Sequence, residues 1–283
     1  MPFGADLIDA IEDWRCLQQM ERSLRGQHDH LADSVRERLP NFIIIGAAKS
    51  ATTSLATVLK RHPDIQISAS MEPKFFGRHY RRGWEWYASQ FDGGEHKRFR
   101  GEASTMYSSS YRSYRRTPQL IRHHLGTIPL IYLVRHPLER IQSHWRHWQG
   151  RVDHCPPFEQ ILSSKRLRQR VIESSMYHRQ WQRYRDWFPA ESICCITTEE
   201  LTTHPRRYVN RILRCLGAEP IASELLDNGT LPHSNPAGAK GRRSVAQPNW
   251  TPELKRQTTE LIRPDAERFL KAIGRPTTTW CWD

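Results

Sequence analysis

The feature that most constrains the fold is an unbroken apolar run followed at once by a short turn and an amphipathic helix. Residues 42–45 read FIII, which is typical of a strand buried on both faces of a parallel sheet. Gly46 opens the turn, after which Leu55, Val58 and Leu59 recur at the spacing of one helical face. A strand that passes directly into a helix predicts an α/β unit.

The same alternation returns along the chain. Residues 128–134 form a second apolar run, and Pro137 follows where a first-turn proline is tolerated in a helix. Residues 65–67 and 193–197 predict further strands, with helical stripes between them. This order predicts an α/β fold with a central, mainly parallel sheet flanked by helices. Residues 1–38 predict a helical N-terminal extension to the domain formed by residues 39–283. The extension would dock on the core, cover a site or join a partner subunit, and packing on the core is the default.

The charge balance indicates an affinity for anions. The 283 residues include 43 Lys and Arg against 30 Asp and Glu, a formal net charge of +13. Such a charge attracts nucleic acid, an anionic membrane, a polyanionic glycan or a multiply phosphorylated cofactor. No stretch approaches the roughly 18 apolar residues of a membrane span, and the first residues include acidic ones, unlike a signal peptide. Six cysteines without a regular framework favour reduced thiols and a cytoplasmic location.

The turn after the first strand is the best candidate for an anion site. A strand that turns tightly into a helix directs backbone N–H groups at one point, where phosphate binds. Lys49 adds a positive charge there, and Thr52 and Thr53 add hydroxyl donors. The spacing differs from the Walker A pattern, since the lysine follows Gly46 by three residues. The alternative is an ordinary turn with a surface lysine.

A second basic candidate lies at the end of the second apolar strand. Arg135 follows that strand directly, where ligands bind in parallel sheets, and its guanidinium matches a phosphate. Ser143 lies about two helical turns further on and is expected on the same side. The alternative is that Arg135 pairs with Glu139.

Two further segments carry charged residues in unusual surroundings. Glu72 and Lys74 lie between apolar residues in MEPKFF, which makes Glu72 a plausible general base. The alternative is an ordinary surface ion pair. Residues 239–243 read AKGRR and would close over a phosphate or form a solvated basic loop.

In this order and spacing, the segments resemble a sulfotransferase that uses 3′-phosphoadenosine 5′-phosphosulfate (PAPS), most closely the heparan-sulfate-type and bacterial members. The resemblance runs from about residue 41 to residue 280 and implies a P-loop-like three-layer fold. The matching segments are FIIIGAAKSATTSL for the 5′-phosphosulfate loop, EPKFF for the catalytic glutamate, GEASTMY for the acceptor cleft, PLIYLVRHPLERIQSHW for the 3′-phosphate motif, SSMYHRQWQRYRDWFP with ICCITTEELTTHP for the helix and strand that follow, and AKGRR for the loop over the nucleotide.

The resemblance implies a role for each matching residue. Glu72 removes the proton of an acceptor hydroxyl or amine in an in-line transfer, and Lys49 stabilises charge on the leaving phosphate. No metal is required. The residues implied to hold the cofactor are Lys49, Ser50, Ala51, Thr52, Thr53 and Ser54 at the 5′ end, Arg135 and Ser143 at the 3′ end, and Lys240, Gly241 and Arg242 in the late loop.

The sequence departs from the family pattern at three positions. Ala51 replaces a common glycine, which costs roughly 1 kcal/mol if the position needs a positive φ. Lys74 stands where a histidine is frequent, and Ala103 where a lysine is frequent. We expect Lys74 to supply the missing cation in the acceptor cleft. The cysteine pair that Golgi relatives carry near the late loop is also absent, in agreement with reduced thiols.

Other functions remain open at this stage. A P-loop kinase or NTPase would bind ATP and magnesium, although its loop pattern is absent. Arg-rich aromatic stretches at residues 78–87 and 111–116 invite a nucleic-acid-binding protein, although no known module is visible. His144, His147, His154 and Cys155 offer zinc ligands at an unusual spacing, and we read His144 and His147 as helix-surface residues instead.

The acceptor is the least determined part of the prediction. A saccharide is expected first and a small secondary metabolite next, with no nucleic-acid or membrane partner. Trp84, Trp86 and Tyr87 would stack on a sugar, and the basic stretches 78–82 and 112–116 would favour an anionic acceptor. O- and N-sulfation are not distinguished, and the oligomeric state is unknown.

Overall fold

A computed structural model describes residues 3–152, 154–232 and 246–282 of the chain. Within these residues, five strands form one sheet in the order β2-β3-β1-β4-β5, and every neighbouring pair is parallel. The strands are β1 (Phe42–Gly46), β2 (Ile65–Ile67), β3 (Phe99–Glu102), β4 (Leu130–Val134) and β5 (Ile193–Thr197). The predicted parallel α/β architecture is confirmed.

Helices follow the strands and cover the sheet. They are α1 (Phe3–Leu24), α2 (Asp29–Asp33), α3 (Thr52–Leu59), α4 (Trp84–Ser89), α5 (Thr117–Leu125), α6 (Pro137–Gln149), α7 (Lys165–Leu167), α8 (Tyr177–Arg185), α9 (Thr198–Thr203), α10 (Pro205–Leu216), α11 (Ala222–Leu225) and α12 (Pro252–Ala272). Local signals fix several ends. Gly217 has φ 75° and ends α10, and the Thr251 side chain accepts a hydrogen bond from the Leu254 N–H at the start of α12.

The sheet is buried on both faces, which explains why its strands are continuously apolar. Ile43 and Ile45 point into the cluster that includes α1, α5, α8 and α12, whereas Phe42 and Ile44 point into the cluster that includes α3 and α10. All four side chains are fully buried. Burying each one contributes roughly 1.5–3 kcal/mol. The result is a three-layer arrangement with helices on each side of the sheet.

The sequence pattern did not predict β3. It also predicted that the second apolar strand begins at residue 128, whereas β4 begins two residues later, at Leu130. Phe99–Glu102 reads FRGE, so it lacks both an apolar run and a clear alternation. The strand is specified by its neighbours instead. A Cβ at Gly101 would lie 2.1 Å from Cζ of Phe42, so only glycine allows this approach to β1.

The N-terminal helix packs on the domain, as expected. Cys16 and Met20 on α1 belong to the main buried cluster. The Cys16 thiol donates to the Gly77 carbonyl at 3.0 Å, and Arg116 Nε donates to Glu21 Oε1 at 2.5 Å. Among the described residues, none of the helices combines the length and the apolar character needed to cross a membrane.

Candidate functional site

The candidate site lies where the carboxyl ends of neighbouring parallel strands meet, the usual ligand edge of such a sheet. Gly46 ends β1, Val134 ends β4, and Glu102 ends β3. The predicted Lys49 loop follows β1, and Arg135 follows β4. The sheet therefore brings together segments that are about 90 residues apart in the sequence.

The loop between β1 and α3 has an unusual backbone. Gly46 has φ +148°, and a Cβ there would lie 1.9 Å from Ser108 Oγ, so the position excludes a side chain. Lys49 and Ala51 both have positive φ, 73° and 61°. The condition stated for Ala51 is thus met, and alanine at this position costs roughly 1 kcal/mol relative to glycine.

This loop offers several donors that fit an anionic group. The first amides of α3 have no partner within the helix, and Thr53 and Ser54 in its first turn are half-buried. Ser50 Oγ is buried and has no hydrogen-bond partner among the described residues. A buried unpaired hydroxyl costs about 1–3 kcal/mol, so this donor favours an acceptor that the protein itself does not supply.

One face of α6 connects Lys49 to Arg135. Glu139, Ser143 and His147 are four residues apart and therefore share a face of about 12 Å. At one end, Arg135 donates to Glu139 Oε2 from Nε at 2.8 Å and from Nη2 at 2.5 Å. At the other end, Lys49 Nζ lies 3.4 Å from His147 Nδ1. Two positive groups thus flank the predicted Ser143.

The Arg135–Glu139 pair is the alternative that the sequence left open, and the structure contains it. The Glu139 side chain is 54% exposed, so the pair contributes only about 0–1 kcal/mol. Such a weak pair is compatible with exchange of the carboxylate for a phosphate. Tyr177 donates to the Arg135 carbonyl at 2.7 Å and fixes the backbone at this strand end.

Glu72 lies beside the β1 loop and is held by two neighbours. Its Oε1 accepts a hydrogen bond from Thr105 Oγ1 at 2.8 Å, and its Oε2 lies 3.0 Å from Lys74 Nζ. Thr105 also approaches the β1 loop, because its carbonyl oxygen would lie 2.9 Å from a Cβ on Gly46. The predicted general base and the predicted anion loop are therefore neighbours. The Glu72–Lys74 pair is about one-third exposed on each side.

A second carboxylate, Glu102, lies fully buried behind Glu72. Its Oε1 accepts hydrogen bonds from the Tyr87 hydroxyl at 2.6 Å and the Tyr107 hydroxyl at 3.0 Å, and Ser104 donates to its Oε2. The pKa of the Glu102 carboxyl is raised to about 7, chiefly by burial and further by the charge of Glu72, while the three hydroxyl donors oppose the rise.

The Glu102 network reaches the backbone that carries Glu72 and Lys74. Ser104 Oγ accepts a hydrogen bond from the Lys74 N–H at 2.8 Å, and Tyr107 Oη accepts one from the Phe76 N–H at 3.0 Å. Lys74 has a positive φ of 55°, so this turn depends on such contacts. The sequence did not single out Glu102, Ser104 or Tyr107, although all three lie in the GEASTMY segment, and it did not connect Tyr87 with them.

Several surface assignments from the sequence are wrong. Trp84 is 5% exposed and Tyr87 is fully buried, so they pack in the core and do not stack on a sugar. His144 is also buried and accepts a hydrogen bond from Arg140 Nη2 at 2.9 Å. Tyr80 and Tyr114 in the two basic stretches are buried as well, which leaves no aromatic ladder there for nucleic-acid bases.

Two other predicted sites remain, the possible zinc site and the late basic loop. Among the described residues, His144, His147, His154 and Cys155 do not form a cluster with metal-ligand spacing. Lys240, Gly241 and Arg242 fall within residues 233–245, outside the described residues. The sequence did not predict that His147 contacts Lys49, although the four-residue spacing between Ser143 and His147 places both on one helical face.

Comparison with known proteins identifies the family. A family model described as "Sulfotransferase domain" matches residues 39–235. Mouse heparan sulfate glucosamine 3-O-sulfotransferase 3A1 is 26% identical over 262 residues. That alignment covers 87% of this chain and 65% of the mouse protein, so the chain spans less than two thirds of that relative's length.

Solved structures of sulfotransferases also resemble this chain. A sulfotransferase from Alicyclobacillus acidocaldarius superposes with a TM-score of 0.69 and 26% identity, covering 85% of this chain and 98% of that one. A mouse sulfotransferase complexed with PAP shares the fold, with a TM-score of 0.54 and 16% identity over 89% of this chain and 93% of that one. With the parallel sheet, the β1 loop and a matching domain model over more than half of its length, the chain belongs to the sulfotransferase family.

Proposed function

We propose that this protein transfers a sulfuryl group from PAPS to a hydroxyl or amine of a saccharide or small-metabolite acceptor, with Glu72 as the general base. The observation that carries the proposal is the position of Thr105. Its hydroxyl holds the Glu72 carboxylate, and its carbonyl lies against Gly46 at the start of the anion loop. This contact supports the proposal, because it brings the Glu72 carboxylate close to a loop whose donors fit a phosphate-like group.

The residues at the two ends of the α6 face would hold the donor. PAPS, when bound, supplies the sulfuryl group. Lys49, with the α3 amides and the Thr53 hydroxyl, would bind the 5′ end, and Arg135 with Ser143 would bind the 3′-phosphate. Lys49 and the α3 amides at the 5′ end would stabilise the negative charge that develops on the leaving phosphate. Lys240, Gly241 and Arg242 remain candidates for the late loop.

Glu72 would accept the acceptor's proton on its carboxylate as the new bond forms. The hydrogen bond from Thr105 and the contact with Lys74 orient the carboxylate. The saccharide acceptor is proposed because the mouse relative is named for a heparan sulfate glucosamine. The proposal includes a reducing compartment, which the six free cysteines support.

The first test is calorimetric binding of 3′-phosphoadenosine 5′-phosphate (PAP), the product nucleotide, in metal-free buffer. We expect saturable binding and weaker binding of ATP. Arg135→Ala should weaken PAP binding by roughly 10–100-fold, since a charge-assisted contact contributes about 1.5–3 kcal/mol. Arg256→Ala is the matched control, because this exposed arginine forms ion pairs with its helical neighbours Glu253 and Glu260 on α12. Preference for ATP with magnesium would contradict the proposal and favour a kinase or NTPase.

Lys74 gives a second, independent prediction. Lys74→Ala should lower kcat/KM for the acceptor by about tenfold, because it removes the cation beside Glu72. PAP affinity should stay within twofold. Initial rates at saturating PAPS measure this effect, with Lys60→Ala at the exposed end of α3 as the control. Near-normal turnover of the Lys74 variant would show that this lysine does not replace the missing cation of the cleft.

A further inference from the structure

A cluster of metal-ligating side chains lies between the N-terminal extension and α5. Asp29 begins α2, and His123 and His124 are adjacent near the end of α5. One ligand atom from each residue lies within 4.8 Å of the other two. His123 Nε2 is 2.8 Å from Asp29 Oδ1, and His124 Nδ1 is 3.8 Å from the same oxygen.

Hydrogen bonds alone do not account for both distances. At 3.8 Å, His124 Nδ1 is too far from Asp29 for a hydrogen bond. Ligands around a tetrahedral zinc ion, with bonds of about 2.0–2.1 Å, are separated by about 3.3 Å. The two observed separations lie on either side of that value. Shifts of about half an ångström would bring both histidine nitrogens to that distance from Asp29 Oδ1.

The chemistry of His124 matches that of a metal ligand. Its side chain is 2% exposed, and an imidazole binds a metal through one ring nitrogen, here Nδ1. Its other nitrogen, Nε2, lies 2.8 Å from Ser23 Oγ, which in turn accepts a hydrogen bond from the Tyr80 hydroxyl. Such a partner fixes the ring and leaves Nδ1 directed towards Asp29.

The arrangement is also accessible from solvent. The Asp29 side chain is 46% exposed and that of His123 is 32% exposed, whereas His124 closes the inner side. An ion would therefore enter from outside and retain a water molecule as its fourth ligand. The Trp84 ring lies against His124, with ring centroids 4.5 Å apart, and supports the buried ligand.

We propose that Asp29, His123 and His124 bind one divalent transition-metal ion of the zinc class, which fastens the N-terminal extension to the sulfotransferase domain. The role is structural and separate from the proposed sulfuryl transfer. The ligands come from both sides of the contact, so the bound ion would cross-link α2 to α5. Two imidazoles and one carboxylate form a donor set that suits zinc better than calcium or magnesium.

The test is calorimetry of the metal-free, reduced full chain with Zn²⁺, together with Co²⁺ as a spectroscopic probe. We expect one high-affinity site per chain. Asp29→Asn and His123→Ala should each weaken Zn²⁺ binding at least tenfold, and both residues are exposed enough for the variants to fold. His30→Ala is the matched control, since this exposed histidine lies next to Asp29 but outside the cluster. Unchanged binding in both variants would overturn the proposal, as would the absence of saturable binding.

Two further readouts separate this site from the cysteines and test the structural role. Co²⁺ bound by two histidines and an aspartate gives ligand-field bands without thiolate charge-transfer absorption, whereas binding at the thiols gives that absorption and contradicts the assignment. Zn²⁺ at one hundred times its wild-type Kd should raise the Tm of the wild-type chain by about 5 °C and that of His123→Ala by about half as much or less. Equal Tm shifts in both proteins would contradict the cross-link.

Discussion

Replacing Glu72 with glutamine is expected to lower kcat by roughly 10²–10⁴-fold, the range over which a general base contributes to a transfer reaction. Glutamine keeps the size and one oxygen of the side chain, so the hydrogen bond from Thr105 Oγ1 can persist. It loses the ability to accept a proton from the acceptor. PAP affinity should stay within about threefold, because the donor-binding residues are unchanged.

The measurement is a single-turnover sulfation assay with saturating PAPS, combined with calorimetric PAP binding by the same variant. Glu85→Gln is a suitable control, since this glutamate is 74% exposed and pairs with Arg38 away from the cleft. A Glu72→Gln enzyme with more than one tenth of wild-type kcat would exclude Glu72 as the base. Equal loss of PAP binding and turnover would point to a misfolded site instead.

Lys49→Met is expected to give the second-largest effect, a decrease in kcat of about 10²–10³-fold with weaker PAP binding. The substitution removes the ammonium that would stabilise charge on the leaving phosphate. Methionine has a similar length and also carries a Cβ, so the strain of the positive φ at position 49 is the same in both proteins. The change therefore isolates the charge.

Nucleotide fragments distinguish the two ends of the site. Lys49→Met should weaken the binding of adenosine 5′-phosphate and leave the binding of adenosine 3′-phosphate unchanged. Arg135→Ala should have the reverse effect. Lys60→Met, at the exposed end of α3, controls for the loss of one positive charge. If both variants weakened the same fragment, the two anion sites would not lie at opposite ends of the α6 face.

The sequence indicated the elements whose signals are local. The apolar run of β1 and the helix after it predicted the anion loop, and Gly217 and Thr251 marked helix ends that the structure confirms. The family pattern singled out Ala51 as a replacement of glycine, and the structure shows that its φ is positive. By contrast, β3 was missed, because FRGE becomes a strand only through pairing with β1 and β2.

The residues of the candidate site also differ in how far the sequence predicted them. Residue types and spacing singled out Glu72, Lys49 and Arg135 because a carboxylate in an apolar segment and basic residues after buried strands are unusual. They did not reveal that Thr105 joins Glu72 to the anion loop, since that contact spans 33 residues. They also placed Tyr87 on the acceptor, whereas it is buried and donates to Glu102.

The sequence by itself determined the α/β class, the order of the strand–helix units and the chemical types available at each strand end. These properties follow from periodicity, turn residues and charge, all of which act over a few residues. Only the tertiary structure decided which side chains meet: Lys49 with His147, Glu72 with Thr105, and His123 with Asp29. Such pairs depend on how strands and helices pack across the whole domain, so the free energy of burial, rather than local preference, selects them.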